Sequence, residues 1–151
     1  MSVIEQKFRA WQCYDENGVY FPDDTFITLN ENNLPLLPAR NIAEILGVDP
    51  DGWTNLDQTG QLTTDAGLLL SWGETSWEGA GYLALLNAED GSLRWLLHSN
   101  SSEPFTHAIQ VGNAIHAASA DYITVRDWII PIDEPWRLSV QRHNRLLSEI
   151  R

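Results

Sequence analysis

Hydrophobic and polar positions along this chain alternate or fall in short blocks, and few blocks are long enough for an ordinary helix. Lys7 to Asp15 mixes Phe8, Trp11, Cys13 and Tyr14 with polar residues, which predicts a strand. Glu16-Asn17-Gly18 is a turn signal, with Val19-Tyr20-Phe21 as the returning strand and Thr25 to Leu29 as a third after Pro22-Asp23-Asp24. Gly67 to Trp72 and Gly81 to Leu86 are apolar runs separated by Gly73 to Ala80. Asn87 to Ser92 contains a turn with Gly91 suited to a left-handed backbone, and Ser92 to His98 returns. Pairing Asn87 with Ser92 places Tyr82, Ala84, Leu86, Leu93, Trp95 and Leu97 on one face, and Leu83, Leu85, Arg94, Leu96 and His98 on the other. Both faces are largely apolar, so these strands belong in the middle of the fold. Thr106 to Val111 and Ala114 to Ser119 flank Gly112-Asn113 as a hairpin, and Tyr122 to Ile130 reads as a further strand.

Two segments carry helical signals. Pro38 to Leu46 has Ile42, Ile45 and Leu46 on one face, Pro38 suited to the first helical position and Gly47 to the stop, predicting a helix over 38–46. Trp136, Val140, His143, Leu147 and Ile150 follow helical spacing behind Pro135, predicting a C-terminal amphipathic helix; the competing pattern is a strand over 136–141. The expected fold is therefore α+β: one domain over 1–151, mainly an antiparallel sheet of eight or nine short strands in hairpins, with two helices.

Charge adds a second layer. Twenty-one Asp and Glu against nine Lys and Arg give a net charge of −12, and residues 1–136 alone carry −15. Such a balance opposes direct nucleic-acid binding, which needs clustered Lys and Arg, and opposes anionic membrane surfaces. It favours a basic protein partner, whose approach an acidic field accelerates. One cysteine, Cys13, allows no internal disulfide, and the first fifteen residues lack an apolar leader, so a cytoplasmic location is expected.

Common catalytic signatures are missing from the sequence: Lys7 is the only lysine and no glycine-rich phosphate loop precedes it, and there is no H-E-x-x-H, G-x-S-x-G or S-x-x-K. Gly79-Ala80-Gly81-Tyr82-Leu83-Ala84 matches G-x-G-x-x-A in letters only, because it runs into a hairpin. The Gly112-Asn113 turn would pair His116 with Ile109 and His107 with Ala118, setting His107 and His116 about 7–8 Å apart on one face, as a weak alternative metal pair. No cofactor is expected.

Trp72, Glu74, Trp77 and Glu78 set two indoles beside two carboxylates, and Glu89 and Asp90 occupy a hairpin tip. Indoles anchor protein interfaces and carboxylates select basic partners, so these six residues are the expected partner-binding set. They lead to an immunity or inhibitor protein that neutralises a basic partner, such as a toxin nuclease, by covering its active site. The alternatives are a small His- and carboxylate-dependent enzyme and a Trp-lined module for small molecules or glycans.

Overall fold

The computed structural model describes residues 1–76, 80–100, 103–121 and 123–144. Its strands are β1 (Gln12–Tyr14), β2 (Gly18–Tyr20), β3 (Thr25–Leu29), β4 (Pro35–Asn41), β5 (Trp53–Thr63), β6 (Leu68–Thr75), β7 (Gly81–Asn87), β8 (Leu93–Ser99), β9 (Phe105–Val111), β10 (Ala114–Ala120), β11 (Thr124–Pro131) and β12 (Ser139–Asn144). Two short helices, α1 (Val3–Arg9) and α2 (Ile42–Leu46), and a 3-10 turn over Pro135–Arg137 complete the described elements. An eight-stranded sheet runs β1-β5-β6-β7-β8-β2-β3-β4, and a four-stranded sheet runs β12-β11-β10-β9. The pairings are antiparallel, so the sheet-dominated α+β expectation holds, although the described residues form twelve strands rather than the eight or nine expected, because short segments such as β1, β4 and β12 also pair. No helix among the described residues is long and apolar enough to cross a membrane.

The large sheet cannot be flat. β1 and β2 stand five strand spacings apart in it, which would be about 24 Å across a flat sheet. Yet Tyr14 and Gly18 are only four residues apart in the chain, a reach of about 14 Å at most. The sheet therefore curls until β1 lies near β2, although β1 pairs with β5 and β2 with β3 and β8. The hairpin expected across Glu16-Asn17-Gly18 is thus not formed. Asn17 instead accepts the Leu29 N–H, linking this turn to β3.

Two cores result. Between the sheets, Leu70, Leu83, Leu85, Trp95 and Leu97 of the large sheet meet Phe105, Ile115, Trp128 and Ile130 of the small one. On the opposite face of the large sheet, Ile4 and Phe8 of α1 and Ile42 and Ile45 of α2 cover Tyr20, Phe26, Tyr82, Ala84 and Leu96. At about 25 cal/mol per Å² of apolar area, layers of this kind supply the main driving force for folding.

The β7–β8 hairpin forms with Gly91 at φ 73°, and Asn87 N–H donates to Ser92 O. Its faces differ from the regular expectation. Leu86 pairs with Leu93 but Leu85 pairs with Trp95, so Arg94 is a bulge residue. The bulge turns Trp95 and Leu97 to the face of Leu83 and Leu85, and leaves Leu93 and Leu96 with Tyr82 and Ala84.

Three expected elements change. The strand over Lys7 to Asp15 is instead α1 followed by the three residues of β1, because Ser2 Oγ accepts the Glu5 N–H at 3.0 Å and the Asp24 carboxylate accepts the Val3 and Ile4 N–H groups. The helix over 38–46 shortens to Ile42–Leu46: residues 38–41 belong to β4, where Arg40 and Asn41 pair with Phe26 and Thr25 of β3, and the Asn41 side chain caps the Ala43 N–H. Gly47 stays right-handed. The C-terminal amphipathic helix gives way to the 3-10 turn and to β12, whose Val140 pairs with Trp128 and packs on the inter-sheet core. Residues 145–151 of that expected helix lie outside the described residues. The Gly112-Asn113 hairpin has the expected register, His116 opposite Ile109 and His107 opposite Ala118. The strand expected over 122–130 is β11, with Tyr122 outside the described residues.

Candidate functional site

The end of β1, the turn into β2, the last part of β4 and α2 with its exit come together at one end of the large sheet. They enclose a cavity of about 440 Å³ lined by Tyr14, Asp15, Glu16, Arg40, Glu44 and Asp49, with Ile45 and Val48 beside them. Each side chain has a local reason to be there. Tyr14 closes β1, and its hydroxyl donates to Asp49 O at 2.8 Å, tying the chain after α2 to the strand. The Asp15 N–H donates to Gly52 O at 2.7 Å, a second tie between the same segments. The Tyr20 hydroxyl donates to Glu16 O at 2.5 Å and the Thr28 hydroxyl donates to Glu16 Oε1 at 3.2 Å, which fixes the turn.

Four carboxylates and one guanidinium line this cleft. Arg40 lies over the Phe26 ring, 5.3 Å from its centroid, and 3.9 Å from Glu16. A further polar neighbour behind Asp15 is His98, fully buried near the end of β8 with Nε2 3.5 Å from Asp15 Oδ1. Burial pushes the His98 imidazole below its ordinary value, against the opposing pull of Asp15 and of the Glu16 backbone. A neutral His98 leaves the Asp15 charge uncancelled, so the cleft carries a net −3. Neither ring nitrogen of His98 has a well-formed hydrogen bond, an uncommon state for a buried imidazole. Beneath the cleft, burial and nearby carboxylates raise the Tyr14 hydroxyl, and burial raises Tyr20 well above the tyrosine range, so both stay protonated donors.

This arrangement suits a cationic group. An inserted guanidinium or ammonium would meet carboxylates in the lining and aliphatic contact from Ile45 and Val48. Among the described residues no three His, Cys, Asp or Glu side chains converge as a metal cage would require.

The residues expected from sequence fall elsewhere and apart. Trp72 keeps only 7% of its surface and lies flat over Gly60, in the core between the sheets, where it cannot serve as an exposed anchor. Glu74 is half-buried near the end of β6, opposite Gly81. Trp77 and Glu78 lie outside the described residues. Glu89 and Asp90 are exposed at the β7–β8 tip, where Asp90 accepts from the Ser92 N–H and hydroxyl; these bonds hold its carboxyl below the usual range. That tip and the acidic cleft are at opposite ends of β8, about 17 Å apart along the strand. His107 and His116 share a face of the small sheet, and the His107 and Trp72 rings form a T-shaped pair with centroids 6.1 Å apart. The His–carboxylate pairs among the described residues are others, His143–Asp127 at 3.0 Å and His98–Asp15.

Sequence reasoning missed the cleft because its carboxylates sit in turns and on a helix surface, positions with ordinary structural uses. The one available signal was charge density: from Tyr14 to Asp57 the chain holds nine Asp and Glu and one Arg. Comparison with known protein families, with curated proteins and with solved structures returns no match.

Proposed function

We propose that this protein is an inhibitor of the immunity type, which binds a basic protein partner, such as a toxin nuclease, and covers its active site. The observation that carries the reading is the acidic cleft: Asp15, Glu16, Glu44 and Asp49 around a 440 Å³ cavity with Arg40 as the lone cation lining it. A nuclease active site presents Lys and Arg to phosphate, and a cleft of net −3 complements such a surface in sign. The net charge of −12 extends the attraction to longer range and speeds encounter. The Glu89–Asp90 tip would then steer the approach, while the cleft holds an inserted basic side chain.

The test begins with tagged protein in lysate of the native host at low and moderate salt. The reading expects one basic protein retained at stoichiometric level, with an enzymatic activity lost in the purified complex. With that partner in hand, Glu44→Gln and Asp49→Asn together should slow association about tenfold at low salt, the difference closing as salt rises. A retained partner that keeps its activity, or association rates unchanged by the two amides at low salt, refutes the proposal.

A further inference from the structure

A second cavity, of about 270 Å³, lies beside α1 and β5 and shares no lining residue with the acidic cleft. It is lined by Phe8, Trp11, Leu69 and Leu86 on the apolar side and by Gln58, Gln61 and Ser71 on the polar side. Two separate backbone irregularities aim residues into it. Trp11 adopts φ 59°, a left-handed conformation that a bulky L-residue rarely takes, and its indole remains 48% exposed. In β5, Gln58 pairs with Gly73 and Gln61 with Ser71, while Gly60 pairs with Trp72, so Thr59 is a bulge residue. In a regular strand, residues three apart face opposite ways; the bulge brings both Gln side chains to the face of Ser71.

The polar wall is ordered from beneath. Tyr82 and Ser71 hydroxyls lie 3.0 Å apart, and Ser71 donates to Gln58 Oε1 at 2.7 Å, which leaves the Gln58 amide nitrogen free to donate. Burial and its surroundings lift the Tyr82 hydroxyl to about 12, so this relay of hydroxyls remains neutral. Arg9, at the rim, is 3.6 Å from Glu5. The wall therefore offers amide donors and acceptors beside flat apolar surface.

We infer that this cavity is a binding site for a small, uncharged, planar heteroaromatic molecule of about nucleobase size, with its ring against Trp11 and its donor–acceptor edge toward Gln58 and Gln61. The volume, about 270 Å³, lies just under the roughly 300 Å³ at which drug-sized ligand pockets begin, which suits one fused ring system. An indole face and two leucines supply the stacking surface, and the amides select a ring with a polar edge. The site is independent of the acidic cleft and needs no protein partner.

The experiment uses the full chain with adenine, indole and methyl β-D-glucopyranoside as probes, read by saturation-transfer NMR and by titration. Adenine should bind saturably and about fivefold more tightly than indole, the worth of one or two hydrogen bonds, and the glucoside should not bind. Gln61→Leu, at an exposed position, should weaken adenine about fivefold and leave indole unchanged. Trp11→Ala should abolish binding of both, and a matching unfolding profile will show that the fold persists. If Trp11→Ala does not fold, Gln61→Leu decides alone. The inference is overturned by absence of saturable adenine binding up to about 10 mM, by preference for the glucoside or indole, or by unchanged adenine affinity in Gln61→Leu.

Discussion

Replacing Arg126 with Met would expose what holds the open end of the small sheet. Arg126 on β11 places Nε 3.0 Å from the Glu103 carboxylate just before β9, and both side chains are largely buried. Ser119 donates to that carboxyl and in turn accepts the Trp128 indole N–H at 2.8 Å. Burial raises the Glu103 carboxyl above its usual value, and Arg126, then Arg142, pulls it back. Removing one partner of a buried pair costs about 3–5 kcal/mol, chiefly because the other charge is stranded. Arg126 keeps 19% of its side-chain surface and Arg142 remains beside the carboxyl, so the cost falls at or just below the bottom of that range, about 2–3 kcal/mol at pH 7.5. The sign with pH follows from the direction of the shift. A carboxyl raised in the folded state takes up its proton earlier than in the unfolded chain, so the penalty is absent below about 4.5 and grows as pH rises through the folded value. Urea denaturation of Arg126→Met at pH 5.0 and 7.5 should show the larger loss at 7.5. The pair Arg126→Met with Glu103→Gln should recover most of it, since no charge is left stranded. A loss equal at both pH values, or no recovery in the double variant, would show that packing of the Arg126 stem, rather than charge, dominates.

Other perturbations test other parts of the fold. His98 is held neutral by burial, so its contribution is complete above about 6.5 and is lost as pH falls toward its lowered folded value; His98→Leu should flatten the stability profile below pH 6.5, by at most about 1.4 kcal/mol per pH unit, in denaturation measured from pH 5 to 8. Gly73→Ala would drive a Cβ to 2.0 Å from Asp57 O at the β5 bulge, costing about 2–3 kcal/mol. Gly67→Ala, at φ 79° with open space around it, should cost only about 1 kcal/mol, and similar losses for both in urea melts would contradict the bulge geometry. Cys13 is buried and its thiol is pushed above the ordinary range by burial and by Asp15, so a thiol reagent at pH 8 should label it only as fast as the protein opens, with prompt labelling as the contrary result.

Much of the strand inventory is written in local pattern. The Gly112-Asn113 turn sets its own register through two-residue loop geometry, which is why His107 and His116 fall where the sequence puts them. The Asn87–Ser92 turn is equally local, yet the faces after it are not, because the bulge at Arg94 answers to what Trp95 can fill between the sheets. Helical spacing at Trp136 to His143 competed with strand pairing and lost, since β11 offers Val140 a partner in Trp128 and an apolar floor. At the N-terminus, Ser2 and Glu5 in a Ser-x-x-Glu arrangement were a readable start signal, although Glu5 uses its carboxylate to accept the Leu93 N–H instead of closing the reciprocal cap.

Turn chemistry, alternation and net charge, all properties of neighbours in the chain, thus determine by themselves that this protein is an acidic domain of antiparallel strands. The two cavities belong to the tertiary structure. Asp15, Arg40, Glu44 and Asp49 meet because the large sheet curls back on itself. Trp11, Gln58, Gln61 and Leu86 meet because a left-handed residue and a bulge turn side chains that the regular period would send elsewhere. Curvature and bulges are set by packing between distant segments, whose cost and gain no window of local sequence contains.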